Sequence, residues 1–202
     1  MAKKTLPIIN IDKLYYAVIT QDDIEGLTYS KPIYLEGIKK IGMTPTISTG
    51  EYRHEGKLVV SNQNLDSVEV SIDITDVATE HLVDLFGYKL AKTGGYIETS
   101  KDFAKDIALL FRAVLADGEY RYVVLYKGSL VSGELNYEQS DGSPNYQGKT
   151  LTGKFMPTAF NNMVRYTVDS DDVGVAEDID TKFFENVIVA EVKTEVVKEE
   201  TV

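Results

Sequence analysis

Few residues in this 202-residue chain are of a type and spacing that could do chemistry. Its two histidines, His54 and His81, lie far apart, and neither sits in an HExxH or similar metal-binding pattern. His81 stands beside the apolar positions Leu82 and Leu85, the placing of a packing histidine rather than a ligand. There is no cysteine, so thiolate metal sites, disulfides and cysteine nucleophiles are excluded, in keeping with assembly in a reducing cytosol. One stretch, Asp169-Ser-Asp171-Asp-Val173-Gly174 running to Asp180, has the outline of a calcium loop. Its fifth position is Val173, where an oxygen ligand is needed, and its twelfth is Asp180, where a bidentate Glu normally reaches the ion. No glycine-rich phosphate cradle opens a helix and no nucleophile elbow is present. Acid pairs of the glycosidase kind are allowed by composition, but acids are so common here that their presence signals nothing. Neither a catalytic constellation, a metal nor a cofactor is expected.

Charge is unevenly spread. The net charge is −11, and from Asp169 to Val202 there are 11 acids against 3 lysines, leaving the preceding residues almost balanced. No basic patch exists to bind a phosphate backbone by counterion release. No apolar run approaches the ~20 residues of a membrane span. Met1-Ala-Lys-Lys-Thr-Leu-Pro7 has no apolar core behind its basic residues, so no export signal is expected.

The elements that must position any site are mostly strands. Val68, Val70, Ile72 and Ile74 alternate with Glu69, Ser71, Asp73 and Thr75, the period of a strand with one buried and one wet face. At Thr75–Asp76 the period changes. Ala78, Leu82, Leu85 and Phe86 recur at helical spacing over about 76–86, with Thr75 or Asp76 as the cap and Gly87 as the left-handed stop. Lys13–Thr20 reads as a first strand and Tyr34–Ser48 as a second, with Gly37, Gly42 and Pro45 at bulge or edge positions. The polar stretch 49–66 is longer than connections in compact domains usually are, and is expected to be a protruding hairpin or arm.

Ile107–Ala116 and Glu119–Lys127 flank Asp117-Gly118, the signature of a two-residue turn. That register would set Leu115 against Tyr120, Ala113 against Tyr122, Phe111 against Val124 and Leu109 against Tyr126 as a core face. The opposite face, carrying Arg112 and Arg121, then suits a protein contact, with structural cross-strand pairing as an equal alternative. Further strands are expected at 130–137, 149–155, 163–168 and, last, 186–197, with a loop at Asp141–Asn145. Short antiparallel strands with one flanking helix argue for a β-sandwich or barrel. One β domain over 1–168 and an acidic extension over 169–202 follow.

Several pieces resemble the major tail protein, or tail-tube protein, of long flexible-tailed phages of Gram-positive bacteria. They are Leu14-Tyr-Tyr-Ala-Val-Ile19, Lys40-Ile-Gly-Met-Thr-Pro-Thr-Ile47, Val68-Glu-Val-Ser-Ile-Asp-Ile74, Val77–Gly87, Arg121-Tyr-Val-Val-Leu-Tyr-Lys-Gly128 and Gly153-Lys-Phe-Met-Pro157. The resemblance runs from about Leu14 to Phe160. It implies a structural, non-enzymatic virion subunit that stacks as hexameric rings into a hollow tube. Double-stranded DNA would pass through that tube without specific binding, and tape-measure, terminator and distal tail proteins would be further partners. Glu69 and Asp73, with Glu134 and Glu138, are then candidates to line the lumen. Gly50, Tyr52, Arg53, His54 and Leu58 are candidates for an arm between rings, and Arg112 and Arg121 for lateral contacts. The competing readings are a carbohydrate- or protein-binding sandwich, which needs an exposed aromatic platform, and a hydrolase with an acid pair.

Overall fold

A computed structural model describes residues 5–135, 137–139, 142 and 147–191. Its strands are β1 (Ile8–Asp23), β2 (Gly26–Tyr29), β3 (Ile33–Tyr34), β4 (Ile38–His54), β5 (Lys57–Ile74), β6 (Lys89–Leu90), β7 (Tyr96–Ile97), β8 (Ile107–Leu115), β9 (Tyr120–Ser132), β10 (Lys149–Phe155) and β11 (Arg165–Asp169). Two short helices, α1 (Thr79–Phe86) and α2 (Ile179–Glu185), complete it. Nine strands form one antiparallel sheet in the order β2-β1-β8-β9-β10-β5-β4; β11 adds to β9 and β3 to β1, while β6 and β7 pair separately.

One face of this sheet holds the larger core. Val68, Val70, Ile72 and Ile74 of β5 bury themselves there with Leu14, Leu109, Phe111, Val123, Leu125, Leu130, Leu151 and Phe155. Helix α1 adds Leu82, Leu85 and Phe86 to the same cluster, as its apolar spacing requires. Gly87 ends the helix at φ 73°, its N–H donating to the Val83 carbonyl. A Cβ there would lie 2.3 Å from the Phe103 carbonyl oxygen, so contact as well as conformation requires glycine. The expected cap does not form. The helix starts later, with Ala78 at the N-cap, because Asp76 instead accepts from the Val77 amide and pairs with Lys149 at 2.6 Å. His81 packs as its spacing predicts, its Nδ1 3.0 Å from the Tyr16 hydroxyl.

The β8–β9 hairpin departs from the expected register by one residue. Ala116, Asp117 and Gly118 form a three-residue loop: the Leu115 amide donates to Glu119, the Gly118 amide donates to Leu115, and Gly118 sits at φ 93°. The observed partners are therefore Ala113 with Arg121, Phe111 with Val123 and Leu109 with Leu125. A slip of one exchanges faces. Tyr122, Val124 and Tyr126 lie with Ala108 and Leu110 on the opposite side, in a second core completed by Val168, Phe183 and Phe184. Both faces of the hairpin are buried.

That second core explains the remaining differences. The chain after β11 does not form a last strand over 186–191; it makes α2 and an irregular run laid across β8–β9. Residues 192–197 of the expected strand and, Gly142 apart, the loop at Asp141–Asn145 lie outside the described residues. The strand expected at 130–137 is the far end of β9 and stops at Ser132, leaving Tyr137 86% exposed rather than in the core. Among the described residues no helix is long and apolar enough to cross a membrane.

Candidate functional site

Where β10 stops covering β5, at Val68, the β4–β5 ribbon continues alone. Every residue from Thr46 to Asp66 is exposed. The ladder runs without other partners to His54–Lys57, where Glu55 (φ 51°) and Gly56 (φ 76°) make a tight turn of the primed kind. At ~3.3 Å per residue the ribbon projects roughly 30 Å. Gly50, Tyr52, Arg53, His54 and Leu58 are all on it, as the long polar stretch predicts. Two apolar cross-strand pairs, Ile47–Leu65 near the base and Tyr52–Val60 near the tip, lie on opposite faces. An isolated two-stranded ribbon is marginal in water. This one exposes apolar pairs on both faces and, among the described residues, leaves both edges unpaired.

The second candidate surface is the wet face of β4, β5 and β10. Glu69 is exposed and Asp73 half-buried, accepting a 2.9 Å hydrogen bond from the Thr150 hydroxyl. Their ladder partners decide the character of this face. Glu69 lies between Thr44 and Lys154, Ser71 between Gly42 and Thr152, and Asp73 between Lys40 and Thr150. The surface is a field of hydroxyls in which each acid stands beside a lysine, not a purely acidic stripe. It offers neither a cationic track nor an apolar patch. Glu134 and Glu138 do not extend it: both lie past the end of β9, and Glu138 is clamped through its backbone to the Gln147 side chain.

Arg112 is not presented to a neighbour, because the β8 face that carries it is covered by the chain's own C-terminal segment; the register shift places Arg121 on the other face, across from Ala113 and beside Asp169 of β11. Arg112 is only 8% exposed. Its guanidinium pairs with Asp12, donates to Asp180 at 2.5 Å and lies 4.1 Å over the Tyr120 ring. Lys13 joins Asp180 at 3.1 Å, and Arg121 holds Asp169 through two hydrogen bonds of 2.6 and 2.9 Å. Burial opposes charge on Asp180, but the bonds from Lys13 and Arg112 outweigh it and hold this carboxyl below its ordinary range. Burial first, then the Asp180 carboxylate, pushes the Tyr122 phenol up to about 12. Sequence reasoning placed Asp180 in an acidic extension and at the end of a calcium-like loop; the adjacent Phe183-Phe184 was the signal that this extension packs.

The same pairs account for the calcium-like stretch. Its first and twelfth residues, Asp169 and Asp180, are turned to arginine and lysine, and Val173 is fully exposed. Among the described residues no group of three or more acids and histidines is placed to hold a metal ion. Asp22, which sequence reasoning did not single out, accepts from Lys127 at 2.6 Å and from the Ala159 and Phe160 amides, fixing the loop after β10. No protein-family model matches the chain, and no curated protein matches it in sequence.

Proposed function

We propose that this chain is a structural subunit that polymerises with copies of itself, as stacked hexameric rings forming a phage tail tube for DNA. The observation that carries this is the β4–β5 ribbon, a long built element that buries nothing within its own subunit. The sheet has the layout of a wall. β3 pairs with β1 near one end of the strand order and leads within four residues into β4 at the other end, a connection that supports the barrel part of this reading. The hydroxyl face of β4, β5 and β10 is the surface assigned to the lumen. It gives a passing polyanion no cation to stop at, since its lysines are opposed by Glu69 and Asp73. Electron microscopy of the purified chain tests this: rings or tubes are expected, and a chain that remains monomeric at high concentration rejects it.

Glu69 and Asp73 have a sharper test. Replacing both with Lys removes the acids beside Lys40 and Lys154, leaving Asp66 as the acid paired with Lys154, and adds two cations per subunit, within a Debye length of ~8 Å of any phosphate near the wall. Tubes built from Glu69→Lys/Asp73→Lys subunits are expected to form normally and to retain DNA, lowering delivery at least tenfold. Unchanged delivery removes these residues from the lumen.

A binding module is the alternative, with one observation in its favour. Tyr120, Tyr122 and Tyr126 give it no platform, being covered by the chain's own C-terminal segment. Tyr88 and Tyr96, however, stack at 8° with centroids 5.3 Å apart, beside Glu98 and Lys149 in an open cavity of about 290 Å3. A sugar ring would bind on the exposed side of Tyr96. Glycan binding by a monomeric chain, lost in Tyr96→Ala, would favour this alternative.

A further inference from the structure

The outer face of β8–β9 recognises a particular peptide: an acidic residue followed by two aromatic rings. Asp180 of that peptide receives Lys13, Arg112 and the Tyr122 hydroxyl. Phe184 lies with its ring 4.6 Å from Tyr15, under the Lys13 ammonium at 5.1 Å, and Phe183 is 5.1 Å from the Tyr122 ring. Further along, the Tyr126 hydroxyl donates to the Ile188 carbonyl and accepts from the Ala190 amide. Within this chain the peptide is its own segment 179–191.

The way that segment is held matters. Among the described residues no strand of it joins the sheet; ion pairs, isolated hydrogen bonds and the burial of Phe183 and Phe184 hold it through side chains. It is tied to the body by Ser170–Asp178, a connection anchored at Ser170 and Asp172 and exposed at 176–178, with Asp171, Asp172, Glu177 and Asp178 among nine residues and Gly174 at φ 94°. Like charges along such a tether favour extension, and extended it spans up to ~30 Å. Elements held by side chains alone open locally far below the free energy of global unfolding.

We propose that this segment is exchangeable, residues 179–191 of one copy filling the β8–β9 groove of a neighbouring copy. Every contact made within the chain is available between chains, which is why swapping of a tethered element is a low-cost route to association. Local concentration then selects the partner, and a ring of copies supplies it. The inference takes from the tube reading only this gathering of copies.

Lys13 and Asp180 provide the test without any mutation, because a carbodiimide joins an amine and a carboxylate that already touch. Light and heavy-isotope-labelled full-length chains are mixed as monomers, allowed to associate, cross-linked and digested. Exchange predicts Lys13–Asp180 cross-links with one light and one heavy peptide, approaching the statistical proportion for random mixing. Cross-links of single isotopic composition throughout overturn it. Microscopy of the same sample separates the two ideas. Tubes with single-isotope cross-links leave the tube standing and refute exchange; mixed-isotope cross-links without tubes do the reverse.

Discussion

Removing Gly50–Asn64 is expected to yield a folded subunit that no longer forms tubes. The body loses almost nothing by the deletion. The core strand positions of β5 begin at Val68, where β10 takes up its pairing, and every residue removed is exposed. The cut ends Thr49 and Leu65 are close, since Leu65 pairs with Ile47, so an inserted Asn-Gly can rejoin them in a short loop. Surface changes of this kind usually alter stability by no more than ~0.5 kcal/mol, or about 1–2 °C in Tm for a chain of this size. Assembly is a different matter. If the ribbon sits between neighbours, its apolar pairs Ile47–Leu65 and Tyr52–Val60 are the anchors, and burying them repeats at every subunit. Circular dichroism and a thermal melt should match the parent chain, while electron microscopy finds no tubes. Long tubes from the deleted chain would exclude the ribbon as the inter-ring element. A milder variant, Tyr52→Ser/Val60→Ser, removes one apolar pair and should raise the concentration needed for assembly about tenfold or more, at ~1.5–3 kcal/mol per buried side chain.

How much of this was legible in the sequence depends on how local the signal was. The strand from Val68 to Ile74, the helix at Leu82–Phe86 and its stop at Gly87 are written in adjacent residues, and they fold as written. The projecting ribbon was legible too, because a mostly polar stretch of 18 residues, 49–66, is too long for a connection in a compact domain. What failed was set by a single residue of loop length. Asp117-Gly118 reads as a two-residue turn, but the glycine takes the left-handed position of a three-residue loop, and the whole of β9 changes face. Arg121 moved with it, to the face across from Ala113, while Arg112 kept its face and is buried because the chain's own C-terminal segment covers it.

Two other features were beyond local reading because they are pairings at long range. Glu69 and Asp73 were placed on the wet face by alternation alone. That Lys154 and Lys40 stand beside them follows only from registers joining residues far apart in sequence. The C-terminal segment was misread for a related reason. Composition marks it as acidic and solvated, yet its carboxylates answer arginines and a lysine on β1, β8 and β9. Charge counts describe a segment's sum; only the fold says which charges meet.

Substituting Gly128 by alanine is expected to be among the most damaging single changes available in this chain. Gly128 lies on β9 opposite Phe155, at the point where β9 passes from the β8 ladder to the β10 ladder. A Cβ built there would sit 2.5 Å from the Lys154 carbonyl oxygen and 2.6 Å from the Phe155 ring. Neither can yield cheaply: the oxygen belongs to the β9–β10 ladder, and Phe155 is completely buried. Gly153, two pairs along, is in the same state against Ser129 and Leu130. The two glycines let a large side chain from each strand lie across the backbone of the other, which is what an aromatic beside a strand glycine does to fix register. Overpacking of a core typically costs 1–3 kcal/mol, and a clash with ladder backbone puts Gly128→Ala at the upper end, about 3 kcal/mol, or roughly 6–12 °C in Tm. Gly50→Ala is the control: it also lies in a strand, but nothing approaches its Cβ within 4 Å. Its stability should stay within ~0.5 kcal/mol of the parent. Urea denaturation of the three proteins decides the matter. A Gly128→Ala chain as stable as Gly50→Ala would mean that β9 and β10 do not meet in this register, and the wall assigned to the lumen would have to be redrawn.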